Sequence, residues 1–151
     1  MNSITGHTRL TALLGSPVAH SISPLMHNEA FRQLGLDYVY LCFDVTEDTL
    51  PSAVSGLKSC GIRGFNLTMP NKNKVVELLD ELSPAAKLIG AVNTVVNEDG
   101  RLIGYNTDGI GYMQSVKDAG YDIIGKTVTI MGAGGAATAI SAQAALDGVN
   151  K

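Results

Sequence analysis

Strand-like and helix-like stretches alternate along this chain, and that alternation permits few folds. An apolar run over Leu10–Leu14 is stopped by Gly15-Ser16-Pro17 and predicts a first strand. Ser23 and Pro24 read as an N-cap and first helical residue, opening an amphipathic helix that ends near Leu34 and Gly35. Tyr38–Val45, rich in aromatic and β-branched residues, predicts a second strand. Glu47–Ser59 predicts a helix with Gly61 as its stop, and Gly64–Thr68 a third strand. A helix is expected over Lys72–Asp80. Ala91–Val96 and Leu102–Tyr105 then flank Glu98-Asp99-Gly100, a hairpin signature. A helix over Gly109–Ala119, a strand over Thr127–Met131 and an Ala-rich helix over Ala136–Leu146 complete the pattern. The order β-α-β-α-β-α-β-β-α-β-α implies an α/β three-layer sandwich with a mostly parallel sheet.

Composition narrows the function classes. Of 151 residues, 45% are hydrophobic and 17% charged, enough to bury a core and exclude intrinsic disorder. A net charge of −3 without a basic stripe argues against nucleic acid as a partner. No apolar run reaches the roughly 18 residues of a membrane helix, and Met1–Arg9 lacks a signal-peptide core, so a cytoplasmic protein with no membrane partner is expected. Cys42 and Cys60 are isolated thiols that suit a reducing compartment. His20 and His27 have no carboxylate or thiol at ligand spacing, so no metal site is expected.

Gly132, Gly134 and Ala137 form G-x-G-x-x-A after a predicted strand and at a helix start, the setting of a dinucleotide-binding turn. The residue about 20 positions on that would choose NAD or NADP falls beyond Lys151, so the expectation is a piece of a longer protein. Its last strand would carry unpaired edges, which predicts a loosely held βα unit or self-association as a homodimer.

Small polar residues gather just past the predicted strand ends, where open α/β sheets collect ligands: Ser21 and Ser23, Asn66 and Thr68, Asn93 and Thr94, then Asn106-Thr107-Asp108. Hydroxyls and amides both donate and accept, which suits a ligand with several hydroxyls better than a phosphate. Each alone reads equally well as a cap or turn residue. Ser21-Ile22-Ser23-Pro24 sets hydroxyls at a helix N-terminus, a place for a carboxylate; capping by Ser23 is the plainer account, and it leaves Ser21 unexplained. Lys72 falls in the first turn of its predicted helix, where the macrodipole disfavours a cation, and Lys74 is close behind. Both effects favour the neutral amine that proton transfer requires, although an exposed lysine tolerating a poor position reads as well. Asp108 just before a helix reads as an N-cap. Gly109 and Gly111 in the following turn weaken that helix and suit the close approach of a flat ring.

The stretches Gly15-Ser16-Pro17, His20-Ser21-Ile22-Ser23-Pro24-Leu25-Met26-His27-Asn28, Asn66-Leu67-Thr68-Met69-Pro70-Asn71-Lys72, Gly90-Ala91-Val92-Asn93-Thr94, Tyr105-Asn106-Thr107-Asp108-Gly109 and Gly132-Ala133-Gly134-Gly135-Ala136 together resemble the shikimate dehydrogenase family. Met69-Pro70-Asn71-Lys72 and Glu81-Leu82-Ser83-Pro84-Ala85-Ala86-Lys87 look most like its quinate/shikimate dehydrogenase branch. Leu67 stands where the family often has Val, and the family's remaining nucleotide-binding half and returning C-terminal helices are missing.

The resemblance implies NAD- or NADP-dependent interconversion of shikimate and 3-dehydroshikimate, with quinate and 3-dehydroquinate as a second pair. It implies Lys72 and Asp108 as catalytic residues. Ser21 and Ser23 would hold the substrate carboxylate, with Asn66, Thr68, Asn93 and Asp108 on ring hydroxyls. Gly132, Ala133, Gly134, Gly135 and Ala136 would receive the cofactor pyrophosphate. The implied organisation is a substrate-binding domain over 1–106, a linker helix region over 107–124 and an incomplete dinucleotide-binding domain over 125–151, inactive alone. A different class, a non-catalytic module that binds a polyhydroxylated acid, is compatible with the same polar clusters.

Overall fold

The computed structural model describes residues 4–151; Met1, Asn2 and Ser3, the start of the stretch read for a leader, lie outside the described residues. Among the described residues six strands, β1 (Arg9–Gly15), β2 (Tyr38–Asp44), β3 (Gly64–Leu67), β4 (Glu81–Leu82), β5 (Thr94–Glu98) and β6 (Arg101–Tyr105), form one sheet in the order β2-β1-β3-β5-β6-β4. Five of them run one way and β5 alone runs against them. The reversal comes from the two-residue turn Asp99-Gly100, whose φ values of 51° and 91° are those of a type I′ hairpin. Asn97 Oδ1 closes that turn by accepting from the Gly100 N–H at 2.8 Å.

Strand alternation sends side chains to two cores. On one face Ala12, Leu14, Phe65 and Leu67 meet α2 (Leu50–Ser59), a short 3-10 helix over Lys74–Leu78 and α3 (Pro84–Ile89). On the other, Leu13, Val18 and Tyr40 meet Phe31 of α1 (Ser23–Gln33), which makes three layers. Asn28 of α1 clamps the edge strand: its amide donates to the Tyr40 carbonyl at 2.9 Å and accepts from the Tyr40 N–H at 2.8 Å. The far edge is tied by Asp80, whose carboxylate accepts from the Leu102 N–H and from Lys58; these bonds hold its carboxyl below the usual range.

Three expectations are corrected. The residues expected as a helix over Lys72–Asp80 contain only the 3-10 helix, so Lys72 lies ahead of it in a turn and the macrodipole does not act there. Thr127–Met131 forms no strand, because no neighbouring segment pairs with it; the Val128 N–H goes instead to the Lys151 carbonyl. β4 and α3 were not foreseen, although Ser83 accepts from the Ala86 N–H and Pro84 occupies the first turn.

Gly109, in α4 (Asp108–Asp118), also has another cause. A Cβ on Gly109 would lie 2.5 Å from the Ala139 carbonyl and 2.6 Å from Gln143 Cβ, so this glycine lets α4 press against α5 (Gly135–Asp147). Gly111 has nothing within 4 Å. Gly111→Ala is therefore expected to stabilise the chain by about 0.5–1 kcal/mol in urea unfolding. Gly109→Ala has the same helical gain and is nonetheless expected to destabilise, by overpacking that costs about 1–3 kcal/mol. Equal stabilisation by both would contradict the packing account.

Candidate active site

The reversed strand decides which residues meet. The carboxyl ends of β1, β3 and β6 lie at one edge of the sheet, and because β5 runs the other way its amino end lies there too. Asn93, just before β5, is stitched in from both sides: its carbonyl accepts from the Leu67 N–H at 2.9 Å and its N–H donates to the Tyr105 carbonyl at 3.0 Å. The turn carrying Lys72 joins the same edge, with the Val92 N–H on the Lys72 carbonyl at 2.8 Å. Buried Asn71 anchors that turn by donating to the Val45 carbonyl at 2.7 Å.

At the centre is the Asp108 carboxylate. Oδ2 accepts from Lys72 Nζ at 2.7 Å and Oδ1 from Asn93 Nδ2 at 2.8 Å. Both charged side chains are partly open, Lys72 at 33% and Asp108 at 39%, so a ligand can reach them. Asp108 is the first residue of α4 and does not cap it, which corrects the N-cap reading. Thr107 precedes it, and Asn93 Oδ1 accepts from the Thr107 N–H at 3.0 Å. Asn106 accepts from the Asp108 N–H at 3.1 Å and donates to the Ala91 carbonyl at 3.1 Å, which fixes the approach to α4.

Further along, Thr94 Oγ1 joins Asn93 to Asn66, and Tyr40 OH donates to Asn66 Oδ1 at 2.9 Å. Burial pushes the Tyr40 phenol up, so it stays a donor. His27 stacks on it with ring centroids 4.2 Å apart, and burial lowers the imidazole's own pKa. Tyr40 was not among the expected site residues, and Thr107 was expected only as part of the Asn106-Thr107-Asp108 cluster, with no role of its own. Their signal was a strand tyrosine on the face opposite the larger core, and a hydroxyl beside the expected acid.

Ser21, Ser23 and Thr68 form a second group, lining a cavity of about 490 Å³ with Ser16, His20 and Met69. Ile22 is the N-cap of α1, so Ser23 does not cap it; Ser21 Oγ accepts from the Ser23 N–H at 3.2 Å. The local turn thus explains Ser21, and the Ser23 hydroxyl makes no capping bond, the reverse of the sequence reading. Lys72, Asn66, Asn93 and Asp108 do not line this cavity; the Thr68–Lys72 turn connects the two groups.

The glycine turn lies apart. Gly132 has φ +121°, which favours glycine, and a Cβ on Gly134 or Gly135 would meet nothing within 4 Å. Gly134 is the N-cap of α5 with no side-chain cap, so among the described residues no side chain accepts from the first N–H groups of that helix at its cap. Among the described residues no three His, Cys, Asp or Glu are grouped to hold a metal ion, and no helix is long and apolar enough to cross a membrane.

Residues 13–95 match the family model described as the shikimate dehydrogenase substrate binding domain. The chain belongs to this family. A shikimate dehydrogenase (NADP(+)) of Listeria monocytogenes is 61% identical over 148 residues, covering 98% of this chain and 51% of that protein. A solved shikimate 5-dehydrogenase from Listeria monocytogenes, in complex with shikimate and NAD, superposes with a TM-score of 0.96 at 60% identity over 99% of this chain and 52% of its own. A ligand-free 5-ketofructose reductase of Gluconobacter is 40% identical, with a TM-score of 0.91 over 96% of this chain and 52% of its own. The chain spans about half the length of the curated relatives it matches.

Asn93→Asp is expected to test the carboxylate's setting. The substitution sets a second carboxylate against Asp108 where an amide N–H stood, and should cost about 1–3 kcal/mol of stability at pH 7. One of the two acids then holds a proton in the folded state that the unfolded chain has released, so folding takes up protons and the penalty shrinks as pH falls towards 4. Urea midpoints relative to the parent at both pH values check this; an equal penalty at both would contradict it.

Proposed function

We propose that this chain is the substrate-binding portion, with the opening of the cofactor-binding portion, of an NAD(P)-dependent shikimate dehydrogenase. The carrying observation is the Lys72–Asp108 pair at 2.7 Å with Asn93 on the second carboxylate oxygen. In this reading residues 1–106 bind the ring acid, 107–124 link, and 125–151 begin the cofactor portion. Ser21 and Ser23, in the cavity lining and at the start of α1, receive the carboxylate. Thr68, Asn66 and Asp108 face ring hydroxyls.

The network limits what each residue offers. Asn66 spends both amide hydrogens on the Asn93 carbonyl and Thr94, so it meets the ring through its remaining oxygen lone pair. Asn93 is engaged at every amide atom and acts through Asp108. Asp108 keeps lone pairs for ring hydroxyls, and the neutral Lys72 amine that proton transfer requires, donating one hydrogen to Asp108, keeps its second hydrogen and a lone pair.

Gly132, Ala133, Gly134, Gly135 and Ala136 would hold the dinucleotide pyrophosphate, and the cofactor bound there would supply the acceptor for the carbinol hydride. Lys72 Nζ takes the hydroxyl proton as the carbinol becomes a ketone, and returns it in the reverse direction. Asp108 orients both the hydroxyl and the amine and stabilises the lysinium. Quinate, which shares the carboxylate and ring hydroxyls, is the proposed second substrate. The likeness to a protein named for reducing a ketofructose fits a polar edge built for a polyhydroxylated carbonyl compound.

In the longer protein of which we propose this chain is the first half, Lys72→Ala should lower kcat on the order of 10²-fold or more, with a smaller change in KM. Steady-state rates with shikimate and quinate, each with NAD and NADP, give the measurement. Turnover within a few-fold of the parent would remove Lys72 from proton transfer, and no turnover of either acid by the parent would remove the dehydrogenase reading.

A further inference from the structure

We infer that Thr94 is a positioning residue: its hydroxyl, bonded to both side chains, holds the amides of Asn66 and Asn93 in the orientation their backbone partners set, the one that points Asn93 at the catalytic carboxylate. The inference rests on the reading of Asp108 given above for the importance of that carboxylate, and on geometry alone for the locking.

Two backbone groups remove the ambiguity of the amides. Asn93 Oδ1 faces the Thr107 N–H at 3.0 Å, so it must be oxygen, and Nδ2 must then face Asp108 Oδ1. Asn66 Nδ2 faces the Asn93 carbonyl at 3.2 Å, so it must be nitrogen. Thr94 Oγ1 stands 3.0 Å from each side chain, and its polarity is therefore forced: it accepts from Asn66 and donates its single proton to Asn93 Oδ1. Every donor then points the same way, from Tyr40 through Asn66, Thr94 and Asn93 to Asp108. Such a chain polarises its members cooperatively and ends on a negative charge, which favours that direction. Thr94 is its only hydroxyl between the two amides, and it bridges β3 to the amino end of β5. An apolar residue of the same shape would leave an Asn66 hydrogen without its partner and one fewer donor on Asn93 Oδ1.

Thr94→Val and Thr94→Ser separate positioning from packing, since Val keeps the shape and strand propensity and Ser keeps the hydroxyl. In ¹H–¹⁵N spectra of the chain, Thr94→Val should leave the backbone amide dispersion intact and shift or broaden the side-chain NH₂ pairs of Asn66 and Asn93. Its affinity for shikimate should fall about tenfold, the loss expected from one hydrogen bond and a freed amide. Thr94→Ser should restore both the NH₂ signals and, within about twofold, the affinity. Unmoved NH₂ signals in Thr94→Val, or Thr94→Ser behaving like it, would overturn the inference. If the parent binds no shikimate, the proposed function falls, and the NH₂ signals still decide the role of Thr94.

Discussion

One strand running against five is the constraint on which the site depends. A sheet built only from parallel strands would place loops from their carboxyl ends at one edge and nothing from their amino ends. The Asp99-Gly100 turn reverses the chain, sets β5 between β3 and β6, and brings Asn93 to that edge. Asn93 is buried there and paired through its backbone to both neighbours, so its amide is aimed by the sheet and not by a flexible loop. Asp108 enters from the loop after β6 and finds that amide, and Lys72 arrives on a turn held by Val92 and Asn71.

The electrostatics follow from that meeting. The Lys72–Asp108 pair is partly exposed, and pairs of this kind contribute little to stability, on the order of 0–1 kcal/mol. Its value is geometric: an amine and a carboxylate are held side by side, each with hydrogen-bonding capacity left over for a hydroxyl. The polar chain behind the carboxylate reaches through Thr94 and Asn66 to the Tyr40 phenol, which burial keeps protonated. The serine cavity and the Lys72 cluster are distinct surfaces on one edge, joined by the Thr68–Lys72 turn.

Much of this was legible in the sequence, and the failures have physical causes. Strands β1, β2 and β3, the hairpin, and helices α1, α4 and α5 follow from apolar period and turn chemistry, because each is specified locally. Thr127–Met131 carries a strand's composition, but a strand exists only with a partner, and none pairs with it. The Lys72–Asp80 stretch has helical periodicity, yet Asn71 and Asn73 spend their side-chain amides on Val45 and Gly90 carbonyls, which holds its start as a turn. Lys72, Asp108 and Asn93 were legible as chemical types past strand ends, and the structure brings them into contact. The reason proposed for Lys72 was wrong, since no helix begins there. Gly109 read as room for a ligand and is room for another helix, a tertiary contact that no local pattern encodes. Thr94 and Thr107 act by completing amide geometry, which becomes visible only once the partners are in place.

The central claim is that the polar residues at this edge form one site for a hydroxylated ring acid. A ¹H–¹⁵N titration of the chain with shikimate, following the amides of Ser21, Thr68, Lys72 and Asn93, tests it most directly. The account predicts saturable shifts confined to those segments and to the start of α4. A well-dispersed spectrum in which those amides stay still, or in which shifts fall on another face, would contradict it.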